Sequence, residues 1–156
     1  MVDTQQTIDV GTADFAVAKG AYVLESRGIG SCVVVCLYDS DQKLGALCHI
    51  MLPAHPESSS LSPLRFADTA IPLVLDELAS MGSHQQHLVA HLIGGASMFQ
   101  DLGEFVNKIG SQNIAAVQQA LGQREIHIES MDVGGNTGRS VSFFLDNGSV
   151  SITGKI

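Results

Sequence analysis

The sequence predicts an α+β fold in which packed β-sheets carry two helices on their outer side. Three observations support this class. Strand-like apolar segments come first and are followed by a helix, a strand, a second helix and a closing group of strands. No internal repeat or linker interrupts that order, and 156 residues suit one domain. We therefore predict a single domain over residues 1–156, with the polar residues 1–12 frayed.

The first part of the chain predicts three strands. Residues 15–24 are apolar enough for one strand, although Gly20 interrupts them. Residues 31–38 and 44–52 flank the polar turn 39–42, so we expect these two strands to pair as a hairpin. A hairpin brings the start of its first strand beside the end of its second.

The helices are indicated by their caps and by apolar residues at helical spacing. Ser62 and Pro63 suit the N-cap and first position of a helix that Gly82 ends, with Pro72 expected to kink it or to mark its true start. Ser111 is the expected cap of a second helix. The other expected strands cover residues 87–93, 126–133, 139–145 and 149–152, the last two joined by an Asn147-Gly148 turn.

The composition excludes several classes of function. A formal net charge of −8 provides no electrostatic surface for nucleic acid or an anionic membrane. The apolar runs are too short to span a bilayer, and residues 1–6 lack the pattern of a secretory signal. Three cysteines, an odd number in apolar surroundings, favour free thiols and a cytoplasmic location.

A glycine-punctuated turn followed by Cys32 is the most informative segment. Gly28 and Gly30 permit backbone angles closed to other residues, and the apolar strand 33–37 follows the cysteine at once. A thiol between a turn and a rigid strand is well placed for nucleophilic attack. The same position also suits an ordinary buried thiol at the start of a strand.

His49 is the expected base for this thiol. It lies near the end of the opposing hairpin strand, where its side chain can face Cys32. An imidazole within reach takes the thiol proton, and the resulting ion pair is expected to lower the cysteine pKa. Ser26, before the glycine turn, is a candidate to orient the imidazole, although it also suits an ordinary turn hydroxyl near the surface.

The remaining cysteines and histidines suggest no second centre. Cys36 and Cys48 lie in apolar strands and are expected to be core thiols. His84 and His87 lack cysteine or carboxylate ligands at metal-binding spacing, so we expect no metal site there. The glycine-rich segments 94–96 and 134–138 match no phosphate or dinucleotide fingerprint and are expected to be tight turns, with shaping of the pocket wall as the alternative.

Several of these segments, taken in order, resemble the chemotaxis receptor glutamine deamidases, the CheD family. The resemblance runs from about Tyr22 to Ile152. The matching segments are Gly28-Ile29-Gly30-Ser31-Cys32, Gly45-Ala46-Leu47-Cys48-His49-Ile50-Met51-Leu52-Pro53, Phe66-Ala67-Asp68-Thr69-Ala70-Ile71, Ile93-Gly94-Gly95-Ala96-Ser97-Met98-Phe99, Ile109-Gly110 with Asn113, and Asp132-Val133-Gly134-Gly135 with Gly138-Arg139.

The resemblance implies a layered α/β/β sandwich of mixed sheets with two outer helices, similar to bacterial toxin-type cysteine deamidases. It also implies a Cys–His–Thr triad, which falls on Cys32, His49 and Ser26, where serine stands in place of threonine. The implied reaction converts glutamine side chains on the cytoplasmic helical bundle of methyl-accepting chemotaxis receptors to glutamate. No metal or organic cofactor is implied.

Two other functions stay open from the sequence. Relatives in this family also bind a chemotaxis response-regulator phosphatase and stimulate it, so the chain could be mainly a binding module. The presence of both Cys32 and His49 favours an enzyme. A cysteine hydrolase or acyltransferase acting on another substrate is the third possibility.

Overall fold

The computed structural model describes residues 5–57, 60–97 and 104–154, which form nine strands and two α-helices. The strands are β1 (Gln6–Asp9), β2 (Asp14–Lys19), β3 (Tyr22–Ile29), β4 (Val33–Asp39), β5 (Leu44–Ile50), β6 (Leu88–Gly94), β7 (His127–Val133), β8 (Arg139–Phe144) and β9 (Val150–Gly154). The helices are α1 (Ala67–Ser80) and α2 (Glu104–Gln123), and short 3₁₀ turns cover Pro63–Arg65 and Gln85–His87.

Two mixed sheets and a helical layer make up the architecture. One sheet has four strands in the order β1-β3-β8-β9, and the other has five in the order β2-β5-β4-β6-β7. The β1–β3 and β6–β7 pairs are parallel, whereas the other pairs are antiparallel. The α+β class and the two outer helices predicted from the sequence are confirmed.

The core lies on both faces of the five-stranded sheet. One apolar cluster fills the space between this sheet and the helices, and a second fills the space between the two sheets. Every residue of β4 and β5 is therefore buried, which explains why both strands are almost continuously apolar in sequence. The layers are helices, five-stranded sheet and four-stranded sheet, as an α/β/β sandwich requires.

The hairpin that carries the candidate residues is confirmed. β4 and β5 pair in antiparallel register with Val34 opposite His49. The single strand expected over residues 15–24 is wrong, because the chain breaks at Gly20, whose φ is +87°. Its two halves, β2 and β3, belong to different sheets, so this glycine lets the chain cross from one sheet to the other.

Two expectations near the chain's helices and N-terminus are also wrong. Gln6–Asp9 do not fray, because they pair in parallel with β3 and form β1. Ser111 lies inside α2, which begins at Glu104, and its hydroxyl donates to the carbonyl of Lys108 rather than capping the helix.

Among the described residues, neither helix combines the length and the apolar character that a membrane-spanning segment needs.

The start of α1 also differs from expectation. Ser62 accepts a hydrogen bond from the Leu64 N–H, but it caps the 3₁₀ turn at Pro63–Arg65. The α-helix itself begins at Ala67 and continues through Pro72. It ends before Gly82, whose φ of +99° suits only glycine, as the sequence predicted.

Candidate active site

The three candidate residues lie where the two sheets meet. Ser26 is on β3 of the four-stranded sheet, His49 is on β5 of the five-stranded sheet, and Cys32 immediately precedes β4. Ser26 and His49 are 1% and 2% exposed, whereas Cys32 is partly exposed. Ser26 is therefore not a surface turn hydroxyl. Ser26 and His49 are both buried, and Cys32 is the more exposed of the three residues.

A hydrogen-bonded chain fixes the state of the imidazole. The Ser26 hydroxyl lies 2.8 Å from the Val10 carbonyl oxygen and 2.7 Å from His49 Nδ1. Because a carbonyl only accepts, the single hydroxyl proton goes to Val10, and Ser26 Oγ must accept a proton from Nδ1. Nδ1 of His49 therefore carries a proton, so in the neutral imidazole Nε2 is the unprotonated nitrogen, which is the form that a general base needs.

Cys32 is a diagonal neighbour of His49 on the same side of the sheet. Val34 stands opposite His49, and side chains alternate along a strand, so Cys32 shares the face of Val34. Diagonal pairs are about 7–8 Å apart at Cα, which an imidazole can bridge. Between these two described side chains no hydrogen bond is formed, as is common for catalytic groups without substrate.

Burial shifts the pKa values of both Cys32 and His49. Burial raises the pKa of the Cys32 thiol, and a contact with its own backbone N–H lowers that pKa by a smaller amount. Burial also lowers the pKa of His49, partly offset by the Val10 backbone. Both shifts oppose the ion pair expected from the sequence, because desolvation disfavours the charged form of each group.

The Gly94-Gly95-Ala96 segment holds the turn that carries Cys32. The Gly95 N–H donates to the Cys32 carbonyl at 2.7 Å, and the Ala96 N–H donates to the Gly30 carbonyl at 2.9 Å. A Cβ on Gly94 would lie 2.3 Å from the Cys32 carbonyl oxygen. The two adjacent glycines are visible in the sequence, but the sequence does not show which part of the chain they contact. The pairing of β4 with β6 shows that they lie against the Cys32 turn.

The second glycine-rich segment supports the first. The Gly134 N–H donates to the Gly94 carbonyl at 2.9 Å, and the Ser97 N–H donates to the Gly135 carbonyl at 2.9 Å. Arg139 donates to the same Gly94 carbonyl at 3.4 Å and to Asp132 at 3.2 Å. Segments far apart in sequence therefore converge behind the Cys32 turn.

The other thiols and histidines are separate from this site. Cys36 and Cys48 are fully buried, and burial raises both pKa values, that of Cys48 to about 12. His87 lies 3.2 Å from Asp41, and their donor atoms lie within 4.8 Å of those of Asp39. The fold therefore brings two carboxylates near His87 that its sequence neighbours do not provide: Asp41, in contact with His87, and Asp39, which accepts a hydrogen bond from Ser83.

The family follows from comparison with known proteins. Residues 51–154 match the family model described as CheD chemotactic sensory transduction. The chain belongs to the CheD family. This matched segment begins after Ser26, Cys32 and His49.

Similar proteins named "Probable chemoreceptor glutamine deamidase CheD" extend the CheD match over most of the chain. The one from Desulforamulus reducens is 44% identical over 147 residues, covering 93% of this chain and 89% of that protein. The Clostridium novyi protein is 42% identical with coverages of 93% and 91%, and the Methanococcus vannielii protein is 39% identical with 93% of both. Among solved structures, the Bacillus licheniformis hypothetical protein YfiH aligns with a TM-score of 0.43 at 15% identity, covering 76% of this chain and 51% of that one.

Proposed function

We propose that this chain hydrolyses the side-chain amide of glutamines on chemotaxis receptors, leaving glutamate and releasing ammonia. A role as a glutamine deamidase in chemotaxis agrees with the names of the relatives above, and dependence on a cysteine is part of the proposal. The observation that carries the proposal is the Val10–Ser26–His49 hydrogen-bonded chain, since it leaves an unprotonated Nε2 on the face that Cys32 shares.

The first half of the proposed reaction uses Cys32 as the nucleophile. His49 Nε2 takes the thiol proton while Sγ attacks the glutamine Cδ, and a tetrahedral oxyanion forms. His49 then gives that proton to the nitrogen, the C–N bond breaks, and ammonia leaves. A thioester between Cys32 and the substrate remains.

The second half regenerates the enzyme. His49 Nε2, again unprotonated, takes a proton from water as the oxygen attacks the thioester carbon. Collapse of this second tetrahedral intermediate breaks the C–S bond, and the proton returns to sulfur. The products are a glutamate side chain and a free Cys32 thiol.

Three finer points belong to the proposal. The substrate glutamines are taken to lie on the cytoplasmic helical bundle of methyl-accepting receptors, and the reaction is placed in the cytoplasm. Binding of a chemotaxis response-regulator phosphatase, as a second partner, is still a prediction.

The partly exposed Cys32 thiol favours the enzyme over a pure binding module, because attack on a receptor side chain requires an accessible sulfur.

The direct test is conversion of glutamine in a purified receptor. We expect incubation with this protein to change specific receptor glutamines to glutamate, mapped by mass spectrometry of receptor peptides, with stoichiometric ammonia release. Receptor incubated alone controls for spontaneous deamidation. Conversion no faster than in that control, across several receptors from one chemotactic organism, would contradict the proposal.

Ser26 provides a graded test of the orienting hydroxyl. Ser26→Ala is expected to lower kcat by roughly one to two orders of magnitude, because His49 loses the partner that fixes its tautomer. It is also expected to cost about 1–3 kcal/mol of stability, since Nδ1 and the Val10 carbonyl become unpaired in a buried site.

Ser26→Thr is the matched control, because it retains the hydroxyl and adds a methyl group that restricts its rotamers. Its kcat should equal or exceed that of the starting protein. The measurements are kcat for receptor deamidation and thermal melts of all three proteins. An unchanged kcat in Ser26→Ala would show that the Ser26 hydroxyl does not orient His49 for the reaction. The working site would then be a Cys32–His49 dyad.

A further inference from the structure

Asn113 connects helix α2 to both strands of the candidate site. It is fully buried, and its side-chain Nδ2 donates to the Ser31 carbonyl at 2.9 Å and to the Met51 carbonyl at 2.8 Å. Ser31 directly precedes Cys32, and Met51 follows His49 by two residues. One amide group therefore holds the backbone beside the proposed nucleophile and the backbone beside the proposed base.

The bond to Ser31 also orients the Cys32 N–H. The peptide between Ser31 and Cys32 is planar and trans, so its C=O and N–H point in opposite directions. Holding the carbonyl toward Asn113 turns the N–H away from α2. That N–H and the sulfur belong to the same residue, so they are close to each other, and the N–H lowers the pKa of the thiol. An oxyanion formed by sulfur attack would develop next to this donor.

The other end of the Asn113 amide indicates that stability alone does not explain the residue. Its Oδ1 is buried and has no hydrogen-bond partner among the described residues. An unpaired buried acceptor opposes folding, so the net stability that the amide provides is smaller than its two donated bonds would give alone. The two donated bonds are what only the amide supplies.

We propose that Asn113 is a positioning residue for deamidation, which aims the Cys32 N–H at the developing oxyanion and holds the Cys32 turn against the end of β5. This role rests on the proposed function, because the oxyanion forms when Cys32 attacks a glutamine amide. The alternative is a purely structural pin between α2 and the sheet. A pin would affect stability without affecting the reactivity of Cys32 in the folded protein.

The test compares Asn113→Ala and Asn113→Leu with the starting protein. Leucine is larger than asparagine but has the same branching at Cγ, so it removes the two donated bonds without leaving the cavity that alanine leaves. We expect kcat for receptor deamidation to fall roughly 10- to 100-fold, with KM changing less than about threefold, because the lost donor acts in the transition state.

A second readout needs no receptor. Iodoacetamide labelling of Cys32, followed by mass spectrometry as a function of pH, reports the thiolate fraction directly. Releasing the Cys32 N–H should shift this labelling profile to higher pH in both variants. If the starting protein fails to deamidate receptors, the proposed function fails, but this labelling shift still decides whether Asn113 orients the Cys32 N–H.

Ser83→Ala is the matched control. Ser83 is also buried and donates to Asp39, which ends β4 at the opposite end from Cys32. This variant should lose stability but retain the starting kcat and labelling profile. Folded Asn113 variants with an unchanged kcat and labelling profile would overturn the proposal, and so would a failure of both variants to fold.

Discussion

Cys32→Ala is expected to abolish receptor deamidation, with a loss of roughly 10⁴-fold or more in kcat. Removing the sulfur removes the covalent intermediate, and the remaining groups have no nucleophile to activate. His49→Ala should cause a loss of similar size, because residues that act as one unit are not additive. The measurement is the rate of glutamine-to-glutamate conversion in receptor peptides, with circular dichroism to establish folding.

Cys36→Ala is the matched control for this experiment. Cys36 lies on β4, the strand that Cys32 immediately precedes, and it faces the same core, but it is completely buried and burial raises its pKa. Its replacement should cost some stability and leave deamidation intact. Robust turnover by folded Cys32→Ala, or inactivity confined to Cys36→Ala, would show that Cys32 is not the nucleophile.

Gly94→Ala is expected to destabilise the fold by on the order of 3 kcal/mol or more. The added Cβ would lie 2.3 Å from the Cys32 carbonyl oxygen and 2.7 Å from Ile29 Cγ2. The φ of +117° also disfavours any L side chain. Because the clash is with the backbone of Cys32 itself, folded protein should also deamidate poorly.

Urea denaturation measures this loss, and Gly122→Ala provides the comparison. Gly122 lies in the last turn of α2, and a Cβ there would meet nothing within 4 Å. That substitution should be neutral or stabilise by about 0.5–1 kcal/mol. Equal effects of the two substitutions would mean that the Cys32 backbone does not need the close approach of Gly94.

The thiol–imidazole pair was predictable because local rules create it. Apolar alternation, a polar turn and hairpin pairing together bring the start of β4 beside the end of β5, and the structure has this register. The direction of the pKa shifts in this pair was not predictable. It depends on burial in the folded protein, which raises the pKa of Cys32 and lowers that of His49.

Periodicity and turn chemistry are enough to predict the α+β class, the hairpin, the burial of Cys36 and Cys48 and the candidate residues Cys32 and His49, and they offer Ser26 as a candidate to orient the imidazole. The contacts that hold these side chains come from the packing of the layers. Ser26 contacts Val10 and His49 across 16 and 23 residues, and Asn113 reaches Ser31 across 82. Local patterns do not encode such contacts, because they form only when the two sheets and α2 pack together and water leaves the space between them.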